Sequence, residues 1–157
     1  MKRSAKHYML SLPVMLLAMT LATVVAACSA DTAPQPVALG KDNCAGCNMT
    51  IVDQKFACEF ITDKGKCFKF DDLSCLFHYM NKQQISDSTV ARIYVADYTA
   101  PDSLIDVTKA HLVLGATIQS PMNGGVAAFK DNAQAVRFAR DNKAILLDSW
   151  ERLKVQH

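Results

Sequence analysis

The stretch Tyr8–Ala27 constrains this 157-residue chain more than any other, because it is almost wholly apolar, carries no charge, and follows a basic start of Lys2, Arg3 and Lys6. That order of charge and hydropathy reads as a secretory leader, although the run is also long enough to cross a bilayer as an uncleaved helix. Removing Lys2, Arg3 and Lys6 with a leader leaves 14 basic against 15 acidic side chains, so the net charge of +2 becomes −1. The apparent basicity therefore belongs to the leader, and nothing suggests a nucleic-acid partner. Met1, Met9, Met15 and Met19 leave as well, so each of the remaining methionines, Met49, Met80 and Met122, needs its own account.

The leader ends in Val25-Ala26-Ala27-Cys28, which resembles the lipobox of bacterial lipoproteins, where small residues precede an invariant cysteine. The resemblance implies cleavage before Cys28, a diacylglycerol on its thiol and an acylated amine. Several chains on one residue are what stable anchoring requires. Ser29, a residue other than Asp after the cysteine, implies the outer membrane facing the periplasm, with the inner membrane as the alternative. The expected organisation is a leader at 1–27, a small, polar, proline-rich flexible tether at 28–42 ("SADTAPQPVALGKD" from Ser29), and a domain at 43–157. The last is 115 residues, the size of one compact domain.

Within that domain, Phe56–Thr62 and Lys66–Phe70 read as strands joined by Asp63-Lys64-Gly65, which has hairpin turn chemistry. Asp71-Asp72 can cap a helix, on which Leu73, Leu76, Phe77 and Met80 form one apolar stripe. Val90–Ala96 is a further strand. Short strands follow at 104–107, 111–114, 125–129 and 144–147; a helix capped by Asp131 or Asn132 runs to about Asp141, and Ser149 starts a last helical turn with Trp150. The order strand, Phe, Asp, helix, strand thus occurs twice, which predicts an α+β domain of two similar ββα-type halves.

The thiols of the mature chain are Cys28, Cys44, Cys47, Cys58, Cys67 and Cys75. If lipid consumes Cys28, five remain, and an odd number cannot all pair in an oxidising compartment. Three readings of "CAGCNMTI" compete. A redox Cys44-x-x-Cys47 belongs at a helix start after a strand, where the dipole depresses the thiol pKa; here a linker precedes the motif and β-favouring Thr50-Ile51-Val52 follows it. A zinc site completed by Cys58 and Cys67 has the wrong spacing for a knuckle. If Cys47–Ile51 is extended, Cys47 and Met49 share a face, and thiolate plus thioether favours Cu(I) over zinc or harder cations. Met122, in the turn "SPMNGG", can supply a further soft donor; the alternative for Met49 is ordinary packing beside Ile51.

The pieces "CAGCNMTI", "FKFDDLSCLFHYM", "ARIYVADYT", "LIDVTKAHLVLG" and "SPMNGGVAAF" resemble, in order, the segments of the NosL family, accessory lipoproteins of nitrous oxide reductase maturation. The resemblance implies Cu(I) binding, two ββα-type halves, and a part in supplying copper to the reductase's copper–sulfur centre. Carried over by motif, the ligands are Cys47, Met49 and Met122, with Cys44 a weaker candidate. Asn48 and Asn123 stand where the family has Gly, and Asn tolerates positive φ better than most residues. Cys58 and Cys67 lie outside the motifs and read as apolar fillers or a disulfide. Cys75 reads as core.

His78 falls on the polar side of its helix, and His111 shares a strand face with Val113 as a structural histidine or a further copper ligand. No acid–base pair with useful spacing, phosphate loop or nucleophile triad is present, and Asp71-Asp72 is explained by capping and dipole. The chain does not read as an enzyme.

Overall fold

In a computed structural model that describes residues 30–155, the two runs around Asp63–Gly65 form an antiparallel hairpin of β1 (Cys58–Thr62) and β2 (Cys67–Phe70). Gly65 turns the chain at φ +79°, a left-handed conformation that glycine adopts without Cβ strain. The register places Cys58 opposite Phe70 and Ile61 opposite Cys67. Because successive side chains alternate, Cys58, Phe60, Phe68 and Phe70 share one face, and Glu59, Ile61, Cys67 and Lys69 share the other. Helix α1 (Leu73–Lys82) packs on the aromatic face, its Tyr79 ring 5.5–6.2 Å from those of Phe60, Phe68 and Phe70. Strand β3 (Val90–Asp97) pairs with β1, and β4 (Ala100–Asp106) closes an antiparallel sheet in the order β2-β1-β3-β4. β4 starts earlier than its sequence suggests. Pro101 argues against a central strand but is tolerated here, since β4 is an edge.

The second half repeats the plan. Strands β5 (His111–Leu114), β6 (Val126–Phe129) and β7 (Ile145–Leu146) form a sheet in the order β6-β5-β7, with helix α2 (Asn132–Asp141) between β6 and β7. β5 thus takes the place of β1, β6 of β2 and β7 of β3. Asp131 caps α2 by accepting from Gln134 N at 2.8 Å, as Asp72 caps α1 by accepting from Cys75 N at 3.0 Å. Val113, Ala127 and Phe129 turn toward α2, where Ala135 and Ala139 are buried. Leu112, Val126 and Ala128 turn the other way and merge with the first half's core, which Trp150 and Leu153 of helix α3 (Trp150–Lys154) complete. Each fully buried ring or branched aliphatic side chain here contributes about 1.5–3 kcal/mol. His111 lies on the α2-facing side with Val113, as their alternation predicts.

Residues 30–42, whose composition suggests a free tether, lie along the sheet face opposite α1. The reason is polar. Glu59 and Lys69 are cross-strand neighbours on that face, and Glu59 is fully buried. Gln35 N donates to Glu59 Oε1 at 2.8 Å, and Cys67 Sγ donates to Glu59 Oε2 at 3.2 Å. Lys69 Nζ donates to Pro36 O at 2.8 Å and to Asp42 Oδ2 at 2.7 Å, and Tyr94 Oη donates to Thr32 O at 2.9 Å. Val37 is buried in the core. Buried polar groups must be satisfied, and this segment supplies the partners. The leader and Cys28 lie outside the described residues, among which no helix is long and apolar enough to cross a membrane.

Candidate metal centre

The loop carrying "CAGCNMTI" is a closed turn and not the extended run that would align Cys47 with Met49. Cys44 N donates to Met49 O and Asn48 N to Cys44 O, each at 2.8 Å, and an isolated bridge joins Asn43 to Thr50. Asn48 sits at φ +63°, so side-chain alternation does not apply across it. Asn does take the left-handed conformation there, as its small polar side chain allows. The loop is fastened to its surroundings by Gly40 N to Ile51 O, Ile51 N to Asp42 O and Ala45 N to Lys69 O. The last bond sets it at the end of β2, against the first turn of α1. Gly46 makes that approach possible: a Cβ at its position would lie 2.8 Å from Cys75 O and 3.2 Å from Cys75 Cβ.

The consequence is a group of three sulfurs. Cys44, Cys47 and Cys75 bring their Sγ atoms within 4.8 Å of one another. Cys44 and Cys75 are buried and Cys47 is half-buried, so the group opens to solvent through Cys47. Burial pushes the Cys47 thiol up, and burial with the neighbouring Cys44 pushes Cys75 well above the ordinary thiol range. A redox CxxC needs a depressed thiol, and Cys47 is shifted the other way. Cys47 Sγ donates to Asp71 Oδ2 at 3.5 Å. Asp71 is buried, burial raises its pKa, and its Oδ1 has no hydrogen-bond partner.

Met122 reaches the same end of α1 by a different route. Its loop is held by one carboxylate: Asp72 Oδ2 accepts from Ser120 Oγ at 2.6 Å, from Met122 N at 3.1 Å and from Gly124 N at 3.3 Å. Asp72 Oδ1 meanwhile caps Cys75, so the backbones of Met122 and Cys75 hang from the two oxygens of one side chain. Asn123 takes φ +57°, so both Asn-for-Gly positions keep their turns. Met49 and Met122 are 59% and 39% exposed, too open for packing to explain them.

The NosL family model matches residues 36–150. The chain belongs to the NosL family. The crystal structure of the copper chaperone NosL from Shewanella denitrificans has a similar fold, with a TM-score of 0.63 and 20% identity over 74% of this chain and 92% of that one. No curated protein matches.

In this NosL domain, Cys75 is the residue that sequence reasoning placed in the core in preference to the metal site. It is in the core, and it is also the third member of the sulfur group. The signal was its place three residues after the capping Asp72, which fixes it on the first helical turn. Cys58 and Cys67 do not join: Cys67 pairs with Ile61, an odd number of residues from Cys58, so the two thiols occupy opposite faces of the sheet. Neither a disulfide between them nor a zinc site built on both is compatible with that register. Cys58 is fully buried, and Cys67 is pushed up to about 12 by burial and by Glu59.

Proposed function

We propose that this chain is a lipid-anchored, periplasm-facing carrier of Cu(I) that supplies copper for assembling the copper–sulfur centre of nitrous oxide reductase. One observation carries the reading: three sulfurs converge within 4.8 Å at one end of the domain, and one of them is open to solvent. Thiols are soft donors, and two or three of them suit a monovalent soft ion better than zinc, which wants four ligands, or a hard cation, which wants oxygen. Family membership and a likeness to a protein described as a copper chaperone support the same conclusion.

Cys44 and Cys75 complete a set of thiols with Cys47. Met49, exposed on the same loop, and Met122, exposed on the loop that Asp72 holds, are the thioethers available to an ion that Cys47 presents. An ion held at Cys47 can be attacked by an incoming ligand before its inner bonds break, which is how a carrier releases a tightly bound ion. The anchor is the lipid on Cys28, in the outer membrane by the residue at 29.

The test is an anaerobic Cu(I) titration of the reduced domain in competition with a chelator. One tight site is expected. Cys47→Ser should weaken it most, Cys75→Ser should weaken it if the inner thiols hold the ion, and Met122→Ala and Met49→Ala should weaken it if the thioethers do. A chain that binds Cu(I) no better after reduction than before, or equally well without Cys47, is not this carrier. Delivery is tested by incubating the loaded protein with copper-free nitrous oxide reductase and following metal transfer.

A further inference from the structure

The docked segment 30–42 has a direction. Its start lies at the tip of the β1–β2 hairpin: a Cβ at Gly65 would sit 3.3 Å from Ala30 Cβ and 3.3 Å from Asp31 O. Its middle lies over the centre of the strands, where Gln35 N reaches Glu59 and Pro36 O accepts from Lys69. Its end, Asp42, runs directly into the loop that carries Cys44 and Cys47, at the opposite end of β2. From Gly65 to Asp71 is six extended residues, about 20 Å. α1 gives a second ruler: its first turn carries Cys75 at the sulfur end, and its last residue, Lys82, lies seven residues further along, about 10 Å away.

Only Ser29 stands between Ala30 and Cys28, a reach of at most about 7 Å. Given the lipid anchor proposed above, on which this step rests, the acyl chains would leave the protein beside the hairpin tip. We infer that the tip around Lys64 rests on the bilayer surface, and that the docked segment works as a strap holding the sulfur group at the membrane-distal end. A free 15-residue linker would let the domain tumble. This strap is tied to the sheet by the Glu59, Lys69 and Tyr94 bonds, the first of which along the chain, at Thr32, lies four residues from Cys28. The partner that exchanges metal must then approach from the aqueous side, not laterally within the membrane plane.

The experiment uses the full lipidated chain in phosphatidylethanolamine–phosphatidylglycerol vesicles whose acyl chains carry bromine, a short-range quencher of tryptophan. Lys64→Trp and Val52→Trp each add one indole to the native, buried Trp150, and the parent protein provides the baseline. Val52 lies 73% exposed beside the sulfur loop. The expected result is quenching of the indole at 64 and none at 52. Quenching at both, at neither, or only at 52 in protein that sediments with the vesicles overturns the orientation. Mass analysis of the N-terminal peptide, with Cys28→Ser as the unanchored control, reports the lipid separately: absence of acyl chains removes the anchor reading and this inference together, whereas acylated protein with the wrong quenching pattern removes only the inference. Gln35→Pro, Lys69→Met and Tyr94→Phe combined remove the donors of the strap's bonds and should reduce the quenching at 64 while acylation persists; quenching that survives unchanged means the strap does not orient the domain.

Discussion

Met122 N and Cys75 N donate to the two oxygens of the same Asp72 carboxylate, at 3.1 and 3.0 Å. A helix cap therefore doubles as the clip that brings a loop from the second half, some fifty residues away in sequence, to the first turn of α1. Asp72→Ala removes the cap and the donors' shared acceptor together, and should destabilise the domain by about 2–4 kcal/mol, the sum of a lost cap and several unpaired buried donors. Ser120→Ala removes one of those bonds and should cost about 1–2 kcal/mol. Urea unfolding measures both; an Asp72→Ala protein as stable as its parent would mean the loop is held by something else.

Cys75 and Cys58 are both buried thiols on the first half, and replacing them should separate site from core. Cys75→Ser is expected to reduce Cu(I) affinity by about 100-fold, on the order of what loss of a ligand-supporting group costs. Cys58→Ser should leave affinity within about threefold while lowering stability by about 1–3 kcal/mol, because it buries a hydroxyl without a provided partner. Chelator competition should separate the two variants, whereas the urea midpoint should fall for both, since Cys75 is buried as well.

Gly46 lets the sulfur loop touch α1. Gly46→Ala places a Cβ 2.8 Å from Cys75 O, so the loop must retreat. Overpacking of this kind costs about 1–3 kcal/mol, and it should also separate Cys44 and Cys47 from Cys75 and weaken Cu(I) binding. Ala binding copper as tightly as Gly at this position would mean that Cys75 is not needed.

Asn48 and Asn123 occupy the left-handed region at φ +63° and +57°. Replacement by glycine should be neutral to slightly stabilising, whereas valine should cost about 1–2 kcal/mol at each position. Thermal unfolding of the four single variants tests this directly.

Burial raises the Glu59 pKa above its ordinary 4.5, against the lowering effects of Gln35 N, Cys67 and Lys69. A carboxyl raised in the folded state binds its proton more tightly there than in the unfolded chain. Its contribution to stability is therefore fully present below pH 4.5 and fades as pH rises through the raised value. Glu59→Gln should flatten the pH dependence of the urea midpoint across that window, leaving the rest of the profile unchanged.

Much of this architecture was legible along the chain because its signals are local. Phe70-Asp71-Asp72 and Phe129-Lys130-Asp131 mark a strand end and a helix cap within three residues, and the apolar stripes of α1 and α2 follow at helical spacing. The two Asn turns were legible for the same reason, since a short polar side chain is what a left-handed position accepts short of glycine. Other features depend on partners distant in sequence. Cys75 looks like core because at the edge of an apolar stripe a ligand and a filler are the same residue; only the fold brings it to Cys44 and Cys47. The 30–42 segment looks like a tether because it docks largely through main-chain groups, Gln35 N, Thr32 O and Pro36 O, which leave no mark in composition. Its side-chain partners, Glu59, Lys69 and Tyr94, lie 24 to 62 residues downstream.

The loop from Gly40 to Ile51 is closed by backbone bonds within the chain itself. A loop so secured has little freedom left to lose, so capture of the cargo is not taxed by a folding step. Exchange then depends on which sulfurs reach the ion, and not on a refolding of the loop that carries it.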